Sequence, residues 1–299
     1  MFWLYLWGCV SPGIAEDFYL AKDAEWTVDP DTVCDRLNCR FDEVDEVLDV
    51  IPEVEGVVEV VKIDPTVFTL RGSVAGDTMI SIAGLDRGND LVERYMHVFV
   101  APVNRFGFGL NCDAKSPSDD PWVLPVEATV DATWFLYDAV NNRLEGGPQF
   151  ESEAVVWSEL NTASSKVSLT MPEEAGDAVL GSALMNGDVG NFQVVAEEQY
   201  DGFAAEVWTT GPIPVGQIAS ITTAMLVDGR RVCMDRVQRV LTTSTPSVCG
   251  FWDGVAEWVV DDSDAPTTVL GLSPGDCLME VSVPEFGWSE SLTLTVAES

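Results

Sequence analysis

Seven cysteines, one histidine, ten tryptophans and a surplus of carboxylates are the side chains of this chain that could do chemistry. The cysteines are Cys9, Cys34, Cys39, Cys112, Cys233, Cys249 and Cys277. None stands in a Cys-x-x-Cys pair, and with His97 as the only imidazole a structural zinc site has weak support. Nothing in the spacing suggests haem or an iron–sulfur centre. After Cys9 an even number remains, which is compatible with disulfides in an exported chain. Simple burial of several thiols is the alternative. Cys34 and Cys39 are close enough in sequence to close a small ring. Cys112 and Cys233 have no evident partner. A Ser-His-Asp arrangement would need His97 as its base. His97 lies in Tyr95-Met96-His97-Val98-Phe99, an alternation that reads as a strand. Gly-x-Ser-x-Gly, His-Glu-x-x-His and phosphate-cradling glycine loops are missing from the sequence. Acidic pairs arise by chance in so acidic a chain, so a hydrolase is the least favoured reading.

Two binding chemistries remain. Calcium takes clustered carboxylate and carbonyl oxygens. Asp261, Asp262 and Asp264 follow the apolar pair Val259-Val260, in what should be a turn. Asp29-Pro30-Asp31 and Asp119-Asp120 lie near expected domain starts. No Asp-x-Asp-x-Asp-Gly loop accompanies them, and a solvated acidic surface is the simpler reading. Calcium aside, no cofactor is expected. Trp252, Trp258 and Trp288 crowd one stretch of the chain, and exposed tryptophans can stack on sugars. Trp258 sits in an apolar run and reads as core, whereas Trp252 and Trp288 are possible glycan contacts.

Composition restricts the partners. Fifty Asp and Glu against 15 Lys and Arg give a formal net charge of −35. Phosphate backbones need the basic side chains that are scarce here, so nucleic acid is excluded as a partner. Electrostatic docking to anionic lipid is disfavoured for the same reason. No run of about 18 apolar residues exists to span a bilayer. The chain is 46% hydrophobic, which is too apolar for a disordered acidic tail. Its 299 residues allow two or three domains.

Strands must position whatever function there is. Runs of Val, Thr, Ile and aromatic residues at 57–63, 78–83, 96–100, 128–137, 166–171, 192–196, 218–227, 257–260, 278–283 and 291–296 predict strands. Ala128-Thr129-Val130-Asp131-Ala132-Thr133-Trp134 alternates, burying one face and wetting the other. Asn141-Asn142, Gly146-Gly147, Asn186-Gly187, Asp228-Gly229 and Ser273-Pro274-Gly275 mark turns. The acidic stretch 42–49 could form a short helix, but the Val and Ile that follow argue against it. The fold class expected is all-β, a sandwich or barrel.

An internal echo refines this. Asp64-Pro65-Thr66-Val67-Phe68 followed by Gly76-Asp77-Thr78-Met79-Ile80 pairs with Thr245-Pro246-Ser247-Val248-Cys249 followed by Gly275-Asp276-Cys277-Leu278-Met279. These pieces resemble bacterial immunoglobulin-like domains of group 2, with an Asp/Asn-Pro-x-Val strand and then a Gly-led strand. The second copy carries an apparent hairpin insertion over 250–272. The middle of the chain lacks this signature. Its Thr133–Gly146 segment resembles the strand–turn–strand of other bacterial Ig-like domains, where an Asp…Asn pair shapes the turn before a Leu and a Gly. Ile218–Val232 echoes it. The resemblance implies tandem Ig-like β-sandwiches over 16–103, 104–199 and 200–299, with one larger irregular β-domain as the alternative. In this alignment Cys249 and Cys277 replace Phe68 and Thr78 of the first copy, which points to a disulfide between two strands.

The N-terminus adds a compartment. Residues 1–15 begin with a short apolar run ending Leu6-Trp7-Gly8-Cys9. It resembles a bacterial lipobox, in which Cys9 would carry the lipid. Trp7 departs from that pattern, and no Lys or Arg precedes the run. Gly13-Ile14-Ala15 offers a second cut of the small-x-small kind. An uncleaved apolar N-terminus packed on a domain is the third reading. Together these features predict an exported, lipid-anchored protein of the bacterial cell envelope, at the outer surface or in the periplasm. Its expected role is structural or adhesive and non-catalytic. Expected partners are other envelope or extracellular proteins, or glycans, with membrane contact only through the lipid. A glycan-binding module is the alternative.

Overall fold

The computed structural model describes residues 17–30, 44–110, 121–158, 165–185, 187–209, 211–251, 254–260 and 267–298. Cys9, Cys34, Cys39, Cys112, Trp252, Asp31, Asp119, Asp120, Asp261, Asp262 and Asp264 lie outside the described residues. The architecture is all-β, and the sheets fall into three pairs, each a sandwich.

The first sandwich contains β1 (Asp17–Ala21), β2 (Glu25–Val28), β3 (Glu46–Pro52), β4 (Val58–Ile63), β5 (Phe68–Gly72), β6 (Gly76–Leu85) and β7 (Leu91–Ala101). One sheet has the order β1-β7-β6-β3 and the other β2-β5-β4. The second contains β8 (Arg105–Leu110), β9 (Trp122–Pro125), β10 (Thr129–Tyr137), β11 (Arg143–Leu144), β12 (Phe150–Glu151), β13 (Val156–Trp157), β14 (Lys166–Thr170), β15 (Gly176–Ser182) and β16 (Gly187–Val195). Its sheets are β11-β10-β14-β13, with β8 also on β10, and β12-β15-β16-β9. The third contains β17 (Gly202–Trp208), β18 (Ile213–Pro214), β19 (Ile218–Val227), β20 (Arg230–Arg231), β21 (Arg239–Thr243), β22 (Cys249–Phe251), β23 (Glu257–Val260), β24 (Thr267–Gly271), β25 (Gly275–Val283) and β26 (Trp288–Ala297). Its sheets are β17-β19-β24-β22, with β20 on β19, and β18-β26-β25-β21-β23.

Period-two burial explains the layers. β6 alternates from Thr78 to Gly84, β10 buries Val130, Ala132, Trp134 and Leu136, and β25 buries Cys277, Met279, Val281 and Val283. One face of each strand enters the core and the other meets water. All ten strand runs expected from the sequence fall on strands, and the second half of the acidic stretch, 46–49, is strand rather than helix, at the start of β3. β-branched Val47 and Val50 both enter the core there, three residues apart because a β-bulge falls between them.

Three local devices recur in all three sandwiches. First, a short leading strand lies parallel to the last one: Leu20 opposite Val100, Leu124 opposite Val194, Ile213 opposite Val296. Second, a tight turn follows it. The Lys22, Val126 and Val215 N–H groups donate to the Ala101, Val195 and Ala297 carbonyls, and the next residues, Asp23, Glu127 and Gly216, adopt positive φ of 65°, 54° and 82°. Third, the strands β6, β15 and β25 each open with Gly-Asp. Gly76, Gly176 and Gly275 have φ of 157°, 154° and 143°, and a Cβ on Gly275 would press Val248 at 3.3 Å.

These devices correct two readings of the sequence. The Gly-Asp signature is present in the middle sandwich, at Gly176-Asp177. The proline pieces, by contrast, are not equivalent. Pro65 lies in the turn before β5, and Pro246 lies before β22, one strand earlier in the fold. The true counterpart of Val248 is Val57: both carbonyls accept the two N–H groups that follow Gly72 or Gly271. Cys249 therefore stands where Val58 does, opposite the terminal glycine of β24 as Val58 is opposite that of β5. Among the described residues of this stretch, β22 and β24 are the counterparts of β4 and β5 and are not an inserted hairpin, whereas β23 is an added edge strand with no counterpart in the first sandwich. Trp258 is corrected as well: it is on edge strand β23, opposite Leu241, and 37% exposed.

Cys249 and Cys277 form a disulfide with Cα atoms 5.6 Å apart. It joins the two facing sheets of the third sandwich at the positions of Val58 and Thr78 in the first. Its sequence separation is 28 residues, and the loop-entropy model assigns about 3–4 kcal/mol to such a closure. Replacing the pair by its counterparts, Cys249→Val with Cys277→Thr, should lower the unfolding temperature of the third sandwich. Calorimetry should resolve this as a shift of one transition while the remaining heat absorption stays in place.

Candidate functional site

The features with the strongest specific geometry are the two joints between sandwiches. Each is built from one strand edge and one hairpin. The leading strands β1 and β9 pair on one side with the last strand of their own sandwich. On the other side, the chain just after β11 or β20 of the following sandwich bonds to them.

The hairpin of the first joint is set by Asp138. Its Oδ1 accepts the N–H groups of Val140 (2.9 Å) and Asn142 (2.8 Å), and its Oδ2 accepts from Asn142 Nδ2 at 2.9 Å. A carboxylate that satisfies its own turn in this way fixes the loop conformation. Asn141 takes the positive φ, 67°, that the turn needs. Leu144 then returns opposite Leu136, and Glu145 reaches β1. The Glu145 N–H donates to the Tyr19 carbonyl at 2.6 Å, and the Glu145 carbonyl accepts from Ala21 N–H at 3.0 Å. The Gly147 N–H donates to Glu25 O at 2.8 Å, and Gln149 Nε2 donates to Asp23 O. Gly146 is required twice over. Its φ is 116°, and a Cβ there would sit 2.8 Å from the Ala24 Cβ. Its carbonyl accepts from the indole of the buried Trp134. Ala21 and Ala24 of the first sandwich are fully buried in the core of the second.

The second joint uses a two-residue turn. Asp228 and Gly229 have φ of 52° and 72°, the signs that a type I′ hairpin requires. β20 returns along β19, and Cys233 N–H donates to Val123 O at 2.8 Å, the counterpart of the Glu145-to-Tyr19 bond. Arg230 donates to Pro121 O at 3.4 Å. Val123 and Val195 of the second sandwich pack with Tyr200, Met225, Val227, Val232 and Val237 around this contact. A fully buried ion pair shapes the next turn. Asp235 accepts from Met225 N–H (3.1 Å) and Val237 N–H (3.3 Å) and from Arg239, which also donates to Val237 O at 2.6 Å. Burial, and then the Asp235 charge, hold the Tyr200 hydroxyl well above the usual tyrosine range.

The residues singled out in the sequence take these places. Trp288 is half-buried at the rim of the second joint and stacks on Phe286 with ring centroids 4.9 Å apart. Cys233 is disulfide-bonded and packs in the core of the second sandwich. His97 is on β7 with Nδ1 3.0 Å from Asp17 Oδ1 and Nε2 3.1 Å from Asp77 Oδ2. Both ring nitrogens thus face carboxylates, and neither addresses a nucleophile. Among the described residues no group of three His, Cys, Asp or Glu is placed to hold a metal, and no helix is long and apolar enough to cross a membrane. The Asp…Asn turn was visible in the sequence. The roles of Tyr19, Val123, Glu145 and Gly146 were not, because each depends on a partner more than a hundred residues away, such as Glu145 for Tyr19 and Cys233 for Val123.

No family model matches the chain, and no curated protein matches it. Some solved structures align with parts of it at low similarity. The surface-layer protein SbsC, domains 4–9, is 13% identical over 85% of this chain and 39% of its own, with a TM-score of 0.30. The adhesin InvE of Yersinia pseudotuberculosis is 16% identical over 63% of this chain and 58% of its own, with a TM-score of 0.28. SGBP-B of the Bacteroides ovatus mixed-linkage glucan utilization locus, solved with a mixed-linkage heptasaccharide, is 15% identical over 96% of this chain and 68% of its own, with a TM-score of 0.28. The chain spans less than two thirds of the length of the first two.

Glu145 gives the first joint a pH dependence. Burial raises its carboxyl above the usual glutamate range, and the Arg143 charge offsets this only in part. A carboxyl with a folded-state pKa above its unfolded value of about 4.3 subtracts stability at higher pH and nothing well below that value. Glu145→Gln should therefore raise the unfolding temperature at pH 7, and the gap over the parent should close as the pH falls below about 4. A gap that is constant with pH would contradict the assignment. Peptide mapping without reductant should recover Cys233 covalently linked to a second peptide.

Proposed function

We propose that the protein is a non-catalytic structural or adhesive component of the bacterial cell envelope, a stiff tandem of Ig-like sandwiches exported and held by a lipid on Cys9. The carrying observation is that both joints are made the same way, with backbone hydrogen bonds and shared core residues in place of a free linker. Domains joined by linkers alone move independently by default. Here only residues 102–104 separate β7 from β8, and the following hairpin clamps the preceding leading strand. A chain that binds or spaces at a distance from a membrane benefits from this stiffness, because it keeps its far end displayed. The net charge of −35 keeps such a surface soluble and self-repelling. Other envelope or extracellular proteins, or glycans, are the partners in keeping with this reading. The stacking of Trp288 on Phe286 supports a packing role for that residue in preference to a glycan contact.

Small-angle scattering tests the stiffness. The parent chain should scatter as one extended particle of fixed dimensions. Gly146→Val, which places a branched side chain against Ala24, should broaden the distance distribution while circular dichroism stays β-rich. A parent already as flexible as the variant would refute the proposal. Anchoring is tested separately, by the mass of the N-terminal peptide from the native gene with its upstream region. A diacylated Cys9 supports the anchor; cleavage after Ala15 or an unmodified Met1 removes it.

A further inference from the structure

Three cations share the outer face of the second sandwich. Thr133, Phe135 and Tyr137 are successive outward positions of β10. Tyr137 lies between Arg105 of β8 and Arg143 of β11. Thr133 lies between Gly109 of β8 and Lys166 of β14. Phe135, between these two rows, is opposite Gly107 of β8. Arg105, Arg143 and Lys166 are all exposed.

In so acidic a chain these cations stand apart because no carboxylate claims them. Lys22, Lys62, Arg71, Arg87, Arg231 and Arg239 each lie within ion-pair distance of an Asp or Glu. Among the described residues, no carboxylate is that close to Arg105, Arg143 or Lys166. Glu145 feels the Arg143 charge without pairing with it. Aromatic rings hold two of the three instead. Arg105 Cζ is 3.9 Å from the centre of the Tyr137 ring, and Arg143 Cζ is 4.8 Å from that of Phe135. Such a contact uses the flat face of the guanidinium. The N–H groups in its plane make one hydrogen bond among the described residues, from Arg143 Nη2 to Ser165 Oγ at 3.0 Å. Each stacked guanidinium is thus oriented in advance, with a fork that matches a carboxylate.

β8 adds a space beside the rings. Gly107 and Gly109 put no side chain next to Phe135 and Thr133, which leaves a shallow furrow that begins at Arg105. A Cβ on Gly107 would meet Phe135 at 3.6 Å, and one on Gly109 would meet Thr133 Oγ1 at 3.8 Å, so side chains could have stood in both places. Glycine inside a strand weakens it and often marks a close approach by something else.

We propose that this face binds a uronate-containing oligosaccharide, its carboxylate held by Arg105 and Arg143 and a pyranose ring lying in the glycine furrow against Phe135. An acidic sugar residue carries an anion and an apolar C–H face on one ring, and the patch presents the complement of both. The occupant is short, because the net charge of −35 repels any part of a longer polyanion that lies beyond the patch. This adds a ligand to the stiff-tandem reading and does not rest on it: scattering decides that reading whichever way binding falls.

The test is titration calorimetry of the full chain with trigalacturonate, with its methyl ester and with a hexaglutamate peptide. Trigalacturonate should bind, and the uncharged ester and the peptide should not. Arg105→Ala and Arg143→Ala should each weaken binding about tenfold. Gly107→Thr fills the furrow without changing the charge, and should weaken binding as much while circular dichroism stays unchanged. Lys62→Ala, at an exposed cation of the first sandwich, should leave binding as it is. Absence of binding up to about 10 mM, beyond the range of weak specific contacts, overturns the proposal. Equal binding of the ester overturns it by removing the anion from recognition, and equal binding of the peptide makes the occupant a protein carboxylate. Binding that survives all three variants of the patch places the site elsewhere and overturns it as well.

Discussion

A strand at the edge of a sheet presents one row of backbone groups that its own sheet cannot satisfy. In this molecule that constraint falls on the leading strand of each sandwich. The strand pairs in parallel with the last strand, which closes one side of the sandwich and leaves the strand's other side open. In the first two sandwiches the following hairpin fills the opening. The joint is therefore the completion of a sheet, and the leading strand belongs structurally to two sandwiches at once. Ala21 and Ala24 show this most plainly. They are encoded in the first sandwich and are buried in the core of the second.

Everything that shapes the hairpins follows from that task. A hairpin that must bond a distant strand cannot wander, and each is held by a carboxylate or by turn chemistry. Asp138 folds its loop around its own side chain, whereas Asp228-Gly229 uses positive φ at both central positions. The buried Asp235–Arg239 pair then holds the chain after Cys233. Replacing such a pair by apolar residues is often neutral for stability, but removing one member is severe. Its hydrogen bonds to Met225 and Val237 tie two segments of the joint together, so its contribution here is to the shape of the joint.

Much of the fold was legible in the sequence because strand alternation is local. The expected runs fell on strands, and the Asp…Asn turn could be read from residue types alone. The errors came where similar local chemistry serves different places. Asp64-Pro65 and Thr245-Pro246 are both turns ahead of a strand, but the strands differ, and only the bonds to Val57 and Val248 reveal the shift. The Gly-Asp pair was the better marker, since a backbone with φ near 150° constrains which residue can stand there. It went unread at Gly176 because the flanking strand residues differ. The joints could not be read at all. Nothing in Leu144-Glu145-Gly146 says that its hydrogen bonds go to Tyr19 and Ala21.

The way the joints cohere also accounts for how so acidic a chain can keep neighbouring sandwiches in contact. The ion pairs Arg71–Glu25, Arg87–Asp45, Arg231–Glu206 and Arg239–Asp235 each lie within one sandwich. Across the joints run backbone hydrogen bonds, the neutral amide of Gln149, the Arg230 contact to a carbonyl, and apolar packing. Attraction between fixed opposite charges would weaken with salt, but these contacts do not depend on it. Repulsion among the exposed carboxylates opposes close approach of sandwiches that no joint connects. Charge and joint thus act together: the backbone bonds hold neighbouring sandwiches in one register without relying on opposite charges.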